Sequence, residues 1–324
     1  MEILTNIARE YAEHYFGFQS RLNPFYLLTM LIIGLAIFLM RKPDQSFLSW
    51  LFPKHIYTHA SHKTDIKLFI FNGVLQLAGV LNVTVLMVGI ISFVVGILGS
   101  YSGSDVTVVG LISIALIYLI VSDFCVYWVH RLHHENPIIW PFHAVHHSAE
   151  VMTPITVYRK HPIYDLISSL IKAVLIGVLT GICLALFVEE ISLAQIAGIN
   201  IFYFVFIAMY ANFRHSHIWI SYGRWLEHIF ISPAQHQIHH SIATRHWNKN
   251  YGEVLAIWDW VFGTLYVPNE VEQLEFGLAN ADGQRIAQPY PTLADSLVQP
   301  FAEAKKTLRP ETSIDVGATT GAQS

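Results

Sequence analysis

HRLHHENPIIWPFHAVHH, residues 130–147, holds six histidines in eighteen residues and follows directly on a long apolar run. Its histidines fall into two HxxHH triplets, His130/His133/His134 and His143/His146/His147, and His236/His239/His240 repeats the pattern. In a chain of 324 residues with 18 histidines, one such triplet arises by chance roughly 0.05 times, so three ask for a physical reason. Positions i, i+3 and i+4 share one helical face, so a helix leaving a membrane at Val129 can aim His130 and His134 at a common point.

Composition supports a membrane helix there. The chain is 53% hydrophobic and 13% charged, with mean hydropathy +0.44, against about 25% charged in soluble domains. A net charge of −4 gives no sign of nucleic acid. The two cysteines, Cys125 and Cys183, lie in apolar segments and form neither a disulfide framework nor a zinc-type spacing. The N-terminus lacks the basic and apolar regions of a signal peptide, so the first apolar run is expected to stay as an anchor.

The fold class read from these runs is an all-α integral membrane protein, with about five crossings and a cytosolic helical cap around a histidine-rich dimetal site. The expected spans are Pro24–Met40, Leu68–Leu98, Val106–Val129, Leu166–Val188 and Ile191–Phe213. Leu68–Leu98 is read as one long tilted helix, because two crossings would break the charge pattern. With one crossing, the basic residues of 41–67 and those after the third and fifth spans share one side, the cytoplasm. Lys172 then snorkels from the fourth span to the same side. Residues 1–105 read as an N-terminal anchor region, 106–275 as the domain that carries the histidine boxes, and 276–324 as a polar tail with a disordered end. By the same parity, histidines after Phe213 emerge on the face of those after Val129, so remote boxes can build one site.

Solvated interfacial histidines are the bland alternative, and it suits isolated ones such as His14 and His228. Packed neutral imidazoles instead call for something that binds their lone pairs, and metal is the obvious partner. Eight or more exceed the needs of one tetrahedral zinc and fit two ions better. Asp123, seven residues before His130 inside an apolar span, is expected to hold a ligand histidine by its free N–H. Glu135 and Asp259 are further carboxylate candidates. Arg159, Lys160, Arg214 and Arg245 could hold a polar headgroup, or simply follow the positive-inside rule.

DFCVYWVHRLHHENPIIWPFHAVHHS (123–148), RKHP (159–162), NFRHSH (212–217), SPAQHQIHHS (232–241) and NKNYGEVLAIWDWVFGTLYVP (248–268) together resemble the fatty acid hydroxylase/sterol desaturase superfamily. The likeness covers roughly residues 106 to 275. It implies a non-haem di-iron membrane oxidoreductase that uses O2 and electrons on lipid C–H bonds. By position it implies nine ligands: His130 and His134, then His143, His146 and His147, then His215, then His236, His239 and His240. His133 is an extra in the first box. His217 stands where many relatives have Asn, and Tyr164 stands where RxHP is often followed by Glu, so His217, His133 and His161 remain possible further ligands.

The resemblance therefore implies two iron ions, O2 as co-substrate, a membrane lipid (sterol, fatty acyl or ether lipid), and hydroxylation or desaturation. No cytochrome b5-type HPGG signature or nucleotide fold is present, so electrons are expected from a separate cytochrome b5-, ferredoxin- or reductase-type donor. A membrane zinc hydrolase and a metal-binding transporter stay open as alternatives. The hydrolase would want about three ligands and a nearby Glu base. The transporter would want ligands along an intramembrane path. The ending TGAQS carries no ER-retention signal, which favours a bacterial inner membrane over the ER, with the site on the cytoplasmic face.

Overall fold

A computed structural model describes residues 9, 12–13, 15–17, 20–80, 82–99, 108–187 and 201–308. Among them every regular element is helical, with only isolated bridges such as Phe230–Leu255. Three helices are long and apolar enough to cross a membrane: Pro24–Arg41, Ala115–Glu135 and Pro162–Leu186. Helix α1 (Pro24–Arg41) starts where Asn23 Oδ1 accepts the Phe25 N–H at 2.9 Å with Pro24 in the first turn, and stops at Lys42 in the left-handed region.

The expected single helix over Leu68–Leu98 is broken. Helix α2 (Ala60–Leu77) ends before Gly79, whose φ of 74° the helix cannot continue through, and α3 (Thr84–Leu98) begins beside Asn82, whose Oδ1 accepts the Thr84 N–H at 2.9 Å. A hydropathy run cannot register that break. The first turns of α2 are not lipid-facing either: Ser61, His62, Thr64, Asp65 and Leu68 are buried.

Helix α4 (Val108–Glu135) runs without interruption from the apolar segment through the first histidine box, and α5 (Trp140–His147) carries the second. Leu68, Ala144, Val145 and Tyr290 form one core cluster, so α5 is packed against α2 and the C-terminal part of the chain. Helix α6 (Pro162–Phe187) packs on α3 through Gly177 and Gly181. A Cβ at Gly181 would stand 2.7 Å from Val94 Cβ, and one at Gly177 would stand 3.2 Å from Ile90 Cγ2, which is the close approach small residues four apart allow.

Helix α7 (Ile201–Phe206) continues through a π turn, Ile207–Ala211, into Asn212–Arg214. Thr29 of α1 donates to the Ala208 carbonyl at 2.6 Å, at a turn type that disturbs the helical ladder. The expected hairpin bend around Glu189 and Glu190 lies outside the described residues, as does the tail beyond residue 308. The last elements are α8 (Pro233–His239), α9 (Ile257–Val261) and α10 (Leu293–Leu308), and α10 docks on α5 with Phe301 against Phe142 at 5.1 Å.

Candidate metal centre

Each box sits on an element whose local sequence explains it. The last turns of α4 project His130 and His134, one turn apart. Helix α5 is buried from Pro141 to His147. Helix α8 starts at a capping box, in which Ser232 accepts from the Gln235 N–H and Gln235 Oε1 accepts from the Ser232 N–H, with Pro233 between them. His215 directly follows the short helix Asn212–Arg214.

The nine histidines converge in two groups. His130, His134, His143, His147 and His239 form one, and His146, His215, His236 and His240 form the other; within each, one ring nitrogen of every member lies within 4.8 Å of the others. The second and third boxes feed both groups, and the His147 and His240 rings stack at 4.4 Å where the groups meet. Several Nε2 atoms are closer still: His130 to His143 at 3.1 Å, His215 to His236 at 3.0 Å, and His236 to His240 at 3.2 Å. An imidazole–metal bond of about 2.1 Å puts neighbouring nitrogens about 3.0 Å apart at octahedral angles and about 3.4 Å apart at tetrahedral ones. The spacing fits ligation of common points.

Protonation supports the same reading. Burial first, then neighbouring charged groups, hold His143, His147, His215, His239 and His240 far below the ordinary imidazole value, so they present neutral lone pairs. Three rings are oriented by backbone carbonyls on their outer side. His130 Nδ1 bonds Tyr251 O at 2.7 Å, His239 Nδ1 bonds Lys249 O at 2.8 Å, and His146 Nδ1 bonds Arg159 O at 3.2 Å. Such a bond fixes the proton on Nδ1 and turns the Nε2 lone pair inward. The buried Nε2 atoms of His134, His147 and His239 have no protein partner among the described residues.

The remaining candidates fall elsewhere. Asp123 does not hold a histidine. Its carboxylate accepts from Val254 N, Leu255 N and Trp258 Nε1 at 2.9–3.1 Å. Asp259 accepts from Tyr251 N and Gly252 N, each at 2.8 Å, and from Thr264 Oγ1 at 2.6 Å. The two carboxylates thus pin a loop over residues 251–255, and that loop presents Tyr251 O to His130. Glu135 turns away into an ion pair with Arg131 at 2.9 Å. His133 bonds its own helix at Val129 O, His161 starts α6 and bonds Leu297 O, and His217 bonds Trp50 O. None of these three belongs to either group.

Sequence reading missed the buried ion pair behind the second box. Arg159 Nη1 meets Asp65 Oδ1 at 2.8 Å with both side chains fully buried, while its Nε donates to Val145 O and its Nη2 to Ser148 Oγ. Arg159 therefore anchors the end of α5, and the headgroup role considered for it does not hold. Arg245 faces solvent and pairs with Glu272.

Two cavities flank the nine histidines, and each of the nine lines one of them. One, of about 260 Å³, lies toward the loops and touches His134, His147, His239 and His240 together with Trp140 and Trp247. The other, of about 290 Å³, lies between α4 and α6 and touches His130, His143, His146, His215 and His236.

All nine histidines, with Asp123 and Asp259, fall in the stretch 115–264 that matches the sequence model of the fatty acid hydroxylase family. The chain is 29% identical over 176 residues to ornithine lipid hydroxylase OlsE of Rhizobium tropici, covering 53% of this chain and 49% of that protein. It is 33% identical over 158 residues to human alkylglycerol monooxygenase, covering 49% and 31%. A Delta(7)-sterol 5(6)-desaturase ERG3B of Gibberella zeae is 28% identical over 180 residues, covering 53% and 50%. The chain spans about half or less of the length of these relatives. No solved structure matches it. Asp65, Arg21 and Leu297 stand outside the fatty acid hydroxylase stretch yet bear on it by direct contact.

Proposed function

We propose that the two histidine groups hold two iron ions and that the protein oxidises C–H bonds of a membrane lipid with O2. The observation that carries this reading is the split of nine neutral imidazoles into converging sets of five and four, more nitrogen donors than one ion takes. The ligands proposed are His130, His134, His143, His147 and His239 for one ion and His146, His215, His236 and His240 for the other. Imidazole suits iron and zinc alike, but the relatives are named hydroxylase, monooxygenase and desaturase, and iron supplies the redox chemistry those names require.

The protein's own part is to position and to exclude water. Tyr251, Arg159 and Lys249 carbonyls fix the ring orientations, and the buried α5 and α8 keep the rings neutral. With O2, two electrons and two protons, hydroxylation yields the alcohol and one water, and desaturation yields the alkene and two waters. Electrons come from a separate donor of cytochrome b5, ferredoxin or reductase type. The cavity between α4 and α6 takes the lipid, and the site opens to the cytoplasmic face, in a bacterial inner membrane in preference to the ER.

The test is metal content per chain after anaerobic purification, paired with O2 uptake on adding membrane lipid and reductant. About two irons with lipid-dependent uptake support the reading. One zinc, or metal with no O2 uptake under any donor, overturns it in favour of a hydrolase or carrier.

A further inference from the structure

The cavity between α4 and α6 is electrostatically lopsided. Arg21, Lys160, Lys172 and Arg214 line it, against Glu253 as the one carboxylate among its described lining residues. Glu253 is ion-paired with Arg21 at 3.0 Å, and Lys160 lies 3.5 Å from Asp165. Burial pushes the Glu253 carboxyl up, yet Arg21, Arg214, Lys172 and Lys160 together hold it below its ordinary value, so all four cations bear on one point. The imidazoles beside them are neutral and supply no compensating anion.

Lys172 is the informative member. It belongs to α6, inside the candidate span Pro162–Leu186, where a lysine is costly and marks a ligand path. It lines the same cavity as five of the histidines. One turn deeper, the same two helices enclose a second cavity of about 230 Å³ with an apolar lining that includes Ile117 and Val121 of α4 and Ile176 and Leu179 of α6. The space between α4 and α6 is thus cationic beside the histidines and apolar below, the polarity of an amphiphile with an anionic head. At about 290 Å³ the upper cavity is at the small end of ligand pockets, sized for a head and the first carbons of a chain.

We propose that this groove takes lipids with an anionic head, a phosphate or a carboxylate, with Lys160 and Lys172 as the head's counterions and the tail between α4 and α6. The proposal rests on the lipid-oxidising reading but is tested by binding alone. The full-length protein in a neutral maltoside detergent is titrated calorimetrically with dodecyl phosphate, 1-O-dodecylglycerol, dodecyltrimethylammonium and inorganic phosphate, with metal content measured on the same samples.

Dodecyl phosphate is expected to bind saturably and at least tenfold more tightly than the other three. Lys172→Gln is expected to weaken it about tenfold, Lys172→Arg to retain it, and Arg245→Gln, at an exposed ion pair, to leave it unchanged. Equal binding of dodecylglycerol, or affinity within twofold of the parent in both Lys172→Gln and Lys160→Gln at normal metal content, overturns the proposal. Inorganic phosphate binding as tightly as dodecyl phosphate overturns its lipid part. Absence of iron in those samples would count against the oxidase reading and leave the binding result standing.

Discussion

Asp65→Asn removes one charge from an ion pair whose acid lies outside the fatty acid hydroxylase stretch yet holds its second histidine box through Arg159. Arg159 keeps its neutral acceptors Val145 O, Ser148 Oγ and Ser61 O, but loses the only anion at hydrogen-bond distance among the described residues. Thr156 Oγ1, which donates to Asp65 Oδ2 at 2.7 Å, can still find an acceptor in the amide. Breaking one side of a fully buried pair costs about 3–5 kcal/mol, and the amide places Asn near the lower end. At roughly 2–4 °C per kcal/mol for a domain of 150–250 residues, the apparent melting temperature should fall by about 6–12 °C. The assay is intrinsic-fluorescence melting in detergent at one fixed scan rate, with metal content measured before heating. Metal content should fall too, because Arg159 O orients His146 and Arg159 Nε anchors Val145, between His143 and His146. Glu150→Gln breaks the exposed pair with Arg285 and serves as the comparison, with an expected loss below about 1 kcal/mol. A melting temperature for Asp65→Asn within 2 °C of that for Glu150→Gln would refute the claim that this pair supports the site. The double variant Asp65→Asn/Arg159→Met, which leaves neither charge uncompensated, should recover part of the loss.

His143→Ala and His239→Ala should abolish activity and lower metal content, while His133→Ala, outside both groups, should leave metal content near normal; equal loss in all three would sink the ligand assignment. Gly252→Ala would place a Cβ 2.6 Å from Leu255 O and 2.9 Å from Asp259 Oδ2, displacing the loop that carries Tyr251 O. A cost of about 1–3 kcal/mol should appear in a melt together with weaker metal retention, and unchanged retention would separate the loop from the site. Buried histidines that stay neutral in the fold protonate near pH 6.5 when unfolded. Their folded values are depressed, so stability is full above about pH 6.5 and is lost as pH falls below it. Chelator-treated protein should therefore melt progressively lower from about pH 6.5 to 5, with loaded protein resisting until protons displace metal. A flat profile for the stripped protein would contradict the burial of neutral rings.

The three histidine triplets were legible in the sequence because their spacing is local: i, i+3 and i+4 on a helix need no tertiary knowledge, whereas setting His133 aside and adding His215 came from the family resemblance. The groups that orient the rings were not legible, because Tyr251, Lys249 and Arg159 act through backbone carbonyls, which every residue possesses. A search for ring-orienting side chains turned instead to Asp123, Glu135 and Asp259. Glu135 is spent on Arg131. The other two act at one remove, gripping the backbone N–H groups of residues 251, 252, 254 and 255 from both ends of the loop. That arrangement has a physical logic. A carboxylate in direct contact with a histidine N–H makes the ring more basic and adds negative charge at the centre, whereas a carbonyl orients the ring with little change in charge. With Asp123 and Asp259 held back behind the loop, the cavity that touches five of the histidines keeps its cationic character, and Glu253 is the one carboxylate among its described lining residues. The charge pattern chose one helix over Leu68–Leu98 for a run whose hydropathy fitted one helix or two: the apolar run is real, but Gly79 ends one helix within it, and the polar residues just before it, Ser61 and Asp65, belong to the scaffold of the second box.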